Sequence, residues 1–130
     1  MERASLFLVD GKTDSLLLRV AEDLPEEGEI RIPIGSGIAG AVAESGQAIR
    51  IDDAYSDSRF NPEVDRQSGF KTRSILCLPI MNQSGEVFAV SQLLNRNDGR
   101  PFEQADEQKF SEFVASIGVI LETLEGLAVN

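Results

Sequence analysis

The sequence predicts an α+β domain with a central antiparallel sheet flanked by helices. Strand-like runs arrive in hairpin pairs, helical segments bracket those pairs instead of alternating with them, and the chain closes on a long amphipathic helix. Ser5-Leu6-Phe7-Leu8-Val9 alternates towards a strand, Asp10-Gly11 marks a turn, and Leu16-Leu17-Leu18-Arg19-Val20 completes a hairpin. After a Glu-rich loop, Glu29-Ile30-Arg31-Ile32-Pro33 alternates with a period of two, Ile30 and Ile32 sharing a face. The stretch from Gly35 to Gly46 predicts a short helix: Ser36 suits the N-cap, Ile38 and Val42 share a helical face, and Gly46 suits a left-handed stop. Residues 52–73 form a long polar connection, a length that marks lids and binding loops in small domains. Strands are expected over 74–80 and 87–94, joined by Asn82-Gln83-Ser84-Gly85. Past Pro101, apolar residues Phe110, Phe113, Val114, Ile117, Ile120, Leu121 and Leu124 recur at helical spacing and predict a helix from about residue 103 to 127.

Composition narrows the function. The 130 residues suit a single domain, and 42% apolar content supports a packed core. With 22 acidic against 12 basic residues, the formal charge of −10 argues against nucleic acid and against anionic membranes. No apolar run approaches the roughly 18 residues of a membrane span, and no secretory signal pattern opens the chain. One cysteine rules out an internal disulfide and points to a reducing, cytoplasmic setting. Histidine is absent, which removes Ser-His and Cys-His catalysis and every His-ligated haem or zinc site. Neither a catalytic residue nor a metal or cofactor is expected. Asp52, Asp53, Asp57 and Asp65 leave carboxylate chemistry as the weakest of the open readings.

An ordered block runs from Gly37-Ile38-Ala39-Gly40 through Ile51-Asp52-Asp53-Ala54-Tyr55 and Arg59-Phe60-Asn61-Pro62. It continues through Asp65 to Ser68-Gly69-Phe70-Lys71-Thr72-Arg73-Ser74-Ile75-Leu76-Cys77-Leu78-Pro79-Ile80. This block resembles the GAF domain family, in particular its cyclic-nucleotide-binding branch as found in phosphodiesterases and bacterial adenylyl cyclases, and the resemblance covers nearly the whole chain. It implies a GAF/PAS-like sheet over residues 1–130 that lacks the N-terminal helix of the full module. It also implies a regulatory rather than catalytic role, a small-molecule ligand (cAMP or cGMP), and a covalently linked output domain in a larger phosphodiesterase, cyclase or kinase.

The resemblance further assigns positions. Ile38 and Ala39 match backbone contacts to the phosphate, and the start of a helix meets an anion without Lys or Arg. The alternative is that Gly37 and Gly40 only make a tight strand-to-helix entry. Asn61 matches a phosphate or ribose contact, while Asp65, Ser68 and Thr72 match the pocket lining; solvated loop charge is the competing reading of Asp65, Lys71 and Arg73. Ser5 and Gln92 match positions that face the base. Ala21 stands where a relative places an aromatic ring on the purine, and Glu22 where an Asp is expected. A missing ring removes about 1–3 kcal/mol of stacking per base. The branch's dispersed Asn-Lys, Phe, Asp-Glu signature appears as Asn95-Arg96, Phe102 and Asp106-Glu107, a structural clamp in which Arg96 is expected to pair with Asp106. Cys77, inside an apolar strand, is assigned to the core. The C-terminal helix packs on the sheet, and its remaining surface either is ordinary core, forms a homodimer or leads into the output domain. A ligand-free scaffold used for dimerisation is the second functional reading.

Overall fold

A computed structural model describes residues 3–21, 31–62, 65–66 and 69–129, the side chains of 19–21, 117, 121–122 and 124–129 excepted. Glu22, Ile30 and Ser68 lie outside the described residues. A six-stranded antiparallel sheet forms the centre. Its strands are β1 (Arg3–Asp10), β2 (Ser15–Ala21), β3 (Arg31–Pro33), β4 (Ile49–Ile51), β5 (Ile75–Met81) and β6 (Val87–Leu94), in the order β3-β2-β1-β6-β5-β4. Helix α1 (Gly37–Ser45) follows β3, a 3-10 turn occupies Ala54–Ser56, and α2 (Gln104–Val129) closes the chain. Strand β4 was not expected, because Ile49-Arg50-Ile51 is too short to show a period of its own.

Alternation along the strands sorts the core into two layers. Phe7, Leu16, Ile75, Cys77 and Val90 pack with Ile38, Ala39 and Val42 of α1. On the other face, Leu76, Leu78, Ile80, Ala89 and Leu93 pack with Phe102 and with Val114 of α2. Gly118 lets α2 approach β5 closely, since a Cβ there would stand 2.9 Å from Ile80 Cγ2. Cys77 is fully buried on the α1 side, and burial pushes its thiol pKa up.

The entry to α1 depends on two glycine features. Gly37 has φ +66°, and a Cβ on Gly40 would lie 2.7 Å from the Pro33 carbonyl oxygen, so helix and preceding strand approach backbone to backbone. Gly46 ends the helix at φ 71°, its N–H donating to Val42 O at 2.8 Å, the expected left-handed stop. Ser36 differs from expectation. It stands at the N-cap in extended conformation, yet its side chain makes no capping hydrogen bond. The β3-to-α1 turn is secured by backbone instead: Gly35 N–H donates to Gly40 O (2.9 Å) and Ser36 N–H to Pro33 O (3.0 Å).

Candidate functional site

Register places the polar sheet positions. Ser5 pairs with Ala21 on one side and with Gln92 on the other, and Gln92 pairs with Cys77. Directly opposed residues share a face, so half-buried Ser5 and Gln92 lie side by side on the α1 face with Cys77. At α1, Ile38 and Ala39 are buried as whole residues with their side chains in the core, so neither side chain meets a ligand. The N–H groups of a first helical turn have no intrahelical acceptor, and here the Ser36 side chain does not cap them.

Described residues of the 52–73 connection approach both features. At its base, Ala54 N–H donates to Arg73 O at 2.7 Å. Its first half turns back at Phe60, which packs against the α1 layer, while the carbonyl oxygen of Arg59 lies 3.9 Å from where a Gly37 Cβ would be. Exposed Asn61 follows directly. Near the other end, the Arg3 guanidinium sits over the Phe70 ring, 4.1 Å from its centroid, two residues before Ser5 on the same face of β1. Arg59 thus stands beside the α1 entry and Phe70 beside the β1 end of the Ser5–Gln92 pair.

One carboxylate gathers the loop. Asp65, 8% exposed, accepts from Thr72 N–H (2.7 Å) and Tyr55 O–H (2.8 Å) at Oδ2, and from the Thr72 hydroxyl (2.8 Å) at Oδ1. Asp65 and Thr72, both expected to line a pocket, are thus partners of each other. The bond to Asp65 raises the Tyr55 phenol pKa, desolvation adds to this, and Arg66 opposes it. Close by, Arg59 grips Asp57 with Nε at 3.0 Å and Nη2 at 2.8 Å; these bonds lower the Asp57 pKa to about 2 and raise that of Arg59.

The clamp residues form a second group. Asn95, fully buried and at φ 56°, accepts from Arg73 N–H (2.6 Å) and Ser74 N–H (3.1 Å) and donates from Nδ2 to Lys71 O (2.9 Å). Arg96 faces Asp106 (3.3 Å), Asp98 (2.8 Å) and Glu103 (3.6 Å). Asp106 also accepts from Glu103 N–H at 2.7 Å, half of a capping box at the start of α2. Phe102 is buried beneath α2, and Glu107 meets Arg50 of β4 at 3.5 Å.

The structure thus sets Ser5 beside Gln92 on the α1 face, buries Ile38 and Ala39 there, and joins Asp65 to Thr72; it joins Arg96 to Asp106, places Phe102 beneath α2 and Glu107 against Arg50, and turns Asn95 towards residues 71–74. The Ala21 backbone lies beside Ser5; Glu22 and Ser68 are outside the described residues. Tyr55 was missed, because a lone tyrosine in a polar loop carries no pattern. Residues 59–73 did carry a signal: they hold Arg59, Arg66, Lys71 and Arg73, four of the 12 basic residues, in an otherwise acidic chain. A hollow of about 390 Å3 between β5 and α2, lined by Ala48, Pro79, Ile80, Met81, Ser111, Val114 and Ala115, lies on the opposite face and contains none of these residues. Among the described residues no His, Cys, Asp and Glu group is arranged to hold a metal ion, and no helix is long and apolar enough to cross a membrane.

Known proteins resemble this chain in sequence and in fold. The chain is 38% identical to a dual 3',5'-cyclic-AMP and -GMP phosphodiesterase 11 of Drosophila melanogaster, over 95% of this chain and 10% of that protein. It is 36% identical to a dual phosphodiesterase 11A of Takifugu rubripes, over 99% of this chain and 16% of that protein. The chain therefore spans a small fraction of these relatives. Among solved structures, the GAF domain of an Acinetobacter phosphoenolpyruvate-protein phosphotransferase superposes with a TM-score of 0.81 at 19% identity, covering 100% of this chain and 76% of that one. A free methionine-R-sulfoxide reductase from Neisseria meningitidis superposes with a TM-score of 0.70 at 21% identity, covering 89% of this chain and 64% of that one. The shared fold alone does not separate binding from catalysis. The family profile of the GAF domain matches residues 1–121. By that match across nearly its full length, with the sheet and bracketing helices in place, this chain belongs to the GAF domain family.

Proposed function

We propose that the chain is a non-catalytic regulatory domain that binds a 3',5'-cyclic nucleotide and passes the binding energy to a linked output domain. One observation carries the reading: Arg59 of the 52–73 connection comes beside Gly37 at the α1 start, where Ser36 makes no side-chain cap, and Phe70 of the same connection lies under Arg3, two residues from the Ser5–Gln92 pair. The phosphodiester would sit against the N–H groups of Ile38 and Ala39, where the helix dipole favours negative charge. Asn61 would reach the phosphate or ribose. Ser5 and Gln92 would face the base edge, the Gln92 amide offering both a donor and an acceptor. Asp65 and Thr72, with Ser68, would hold the loop over the ligand, and Ala21 and Glu22 would border the base. Dual cyclic-AMP and -GMP enzymes among the relatives support this ligand class. A ligand that binds the closed loop more tightly than the open one shifts the population towards closure. In this reading the parent protein is a cytoplasmic phosphodiesterase, cyclase or kinase, and no metal or cofactor takes part.

Isothermal calorimetry with cyclic AMP and cyclic GMP tests this. Saturable heat with either supports it; no heat with both at millimolar nucleotide rejects it. A second reading, a ligand-free dimerisation scaffold, draws on exposed Phe113 and Ile120, which recur two turns apart on α2. A stable dimer in sedimentation, unaffected by nucleotide, would favour that reading.

A further inference from the structure

We propose that Tyr55 is a positioning residue that ties residues 54–60, Asp65 and Thr72 of the 52–73 connection together beside the α1 layer; its role in ligand retention rests on the cyclic-nucleotide reading. The Tyr55 ring is 50% exposed, so the core does not explain its place. Its hydroxyl nevertheless reaches the buried carboxylate of Asp65 at 2.8 Å, joining the 3-10 turn at the loop's beginning to its middle. Asp65 in turn joins that middle to Thr72 near the loop's end. The ring also meets Phe60, with centroids 5.2 Å apart, and Phe60 packs against the α1 layer beside the segment lying over Gly37. Tyr55 thus touches the part of the loop nearest α1 and the carboxylate that orders the rest. Removing only its hydroxyl keeps the ring contact and both Thr72 bonds, and releases one tie.

The chain holds one tyrosine and no tryptophan, so its intrinsic ultraviolet emission reports Tyr55 alone. A phenol donating to a carboxylate loses emission through excited-state proton transfer. Asp65→Asn should therefore brighten the nucleotide-free protein. In Tyr55→Phe without nucleotide, exchange of the Thr72 amide should accelerate about tenfold, the scale of one hydrogen bond to a charged group. The amides of β5 should keep their wild-type rates. With cyclic GMP as the probe, Tyr55→Phe should release nucleotide about tenfold faster with an association rate within about twofold of wild type, a split that general destabilisation does not produce. Wild-type exchange at Thr72 in Tyr55→Phe, or unchanged emission in Asp65→Asn, overturns the proposal. Should the wild-type protein bind neither cyclic nucleotide, the ligand reading fails, and exchange and emission still decide whether Tyr55 holds the loop.

Discussion

At the scale of single residues, the chain's polar chemistry is concentrated in a few carboxylates and amides that each serve several backbone groups. Asp57 is one case. Its folded pKa is depressed from 3.8 to about 2 by Arg59, so the pair stabilises the fold above the ordinary aspartate value, and that contribution is lost as pH falls through about 2. NMR titration of the Asp57 carboxyl should give a midpoint near that lower value, and Arg59→Ala should return it towards 3.8. Cys77 should resist thiol reagents in the native protein at mildly alkaline pH and react on unfolding, because burial holds it as the neutral thiol. Labelling without denaturant would show that the strand opens far more readily than its packing suggests. Neither the Asp57–Arg59 grip nor Tyr55's reach to Asp65 was legible in the sequence. Both depend on loop turns that no periodicity encodes.

Elements were more legible where burial imposes a period. The hairpins β1–β2 and β5–β6 and helix α2 follow from alternation and three-to-four spacing, since each lays a continuous apolar face on the core. Strand β4 and the 3-10 turn were not visible, because three residues are too few to repeat a pattern. At α1, Gly46 reads correctly as a stop, whereas Ser36 occupies the capping position without capping. Gly40→Ala would drive a methyl group into the Pro33 carbonyl and should cost about 1–3 kcal/mol, measurable as a lower urea midpoint with an unchanged slope. At the start of α2, Arg96→Ala removes pairs that are partly exposed, and should cost on the order of 1 kcal/mol, shrinking in molar salt as screening takes over.

For the molecule as a whole, the sheet separates two layers. Its α1 face carries the candidate ligand residues, and its other face carries α2, which leads towards the chain's end. The resemblance read in the sequence named candidate residues for both groups, but not how they meet. The clamp signature gave Asn95 no tie to the loop, and only the folded backbone reveals that its side chain grips residues 71–74. Asn95→Ala would leave one buried and one part-buried N–H group and a part-buried carbonyl without these partners, and should cost on the order of 3 kcal/mol in chemical unfolding. A loss below that of Arg96→Ala would mean that water replaces the amide.

Asn95 and Arg96 are neighbours in the chain, and their Cα atoms stand about 3.8 Å apart across one rigid peptide. One member is fastened to the root of the flap, the other to the first turn of the outgoing helix. Shifting the flap's root by more than a small fraction of that span must either drag the helix's first turn along or snap one set of fastenings. Two adjacent residues thus hold the end of the connection and the start of the helix on one short stretch of backbone.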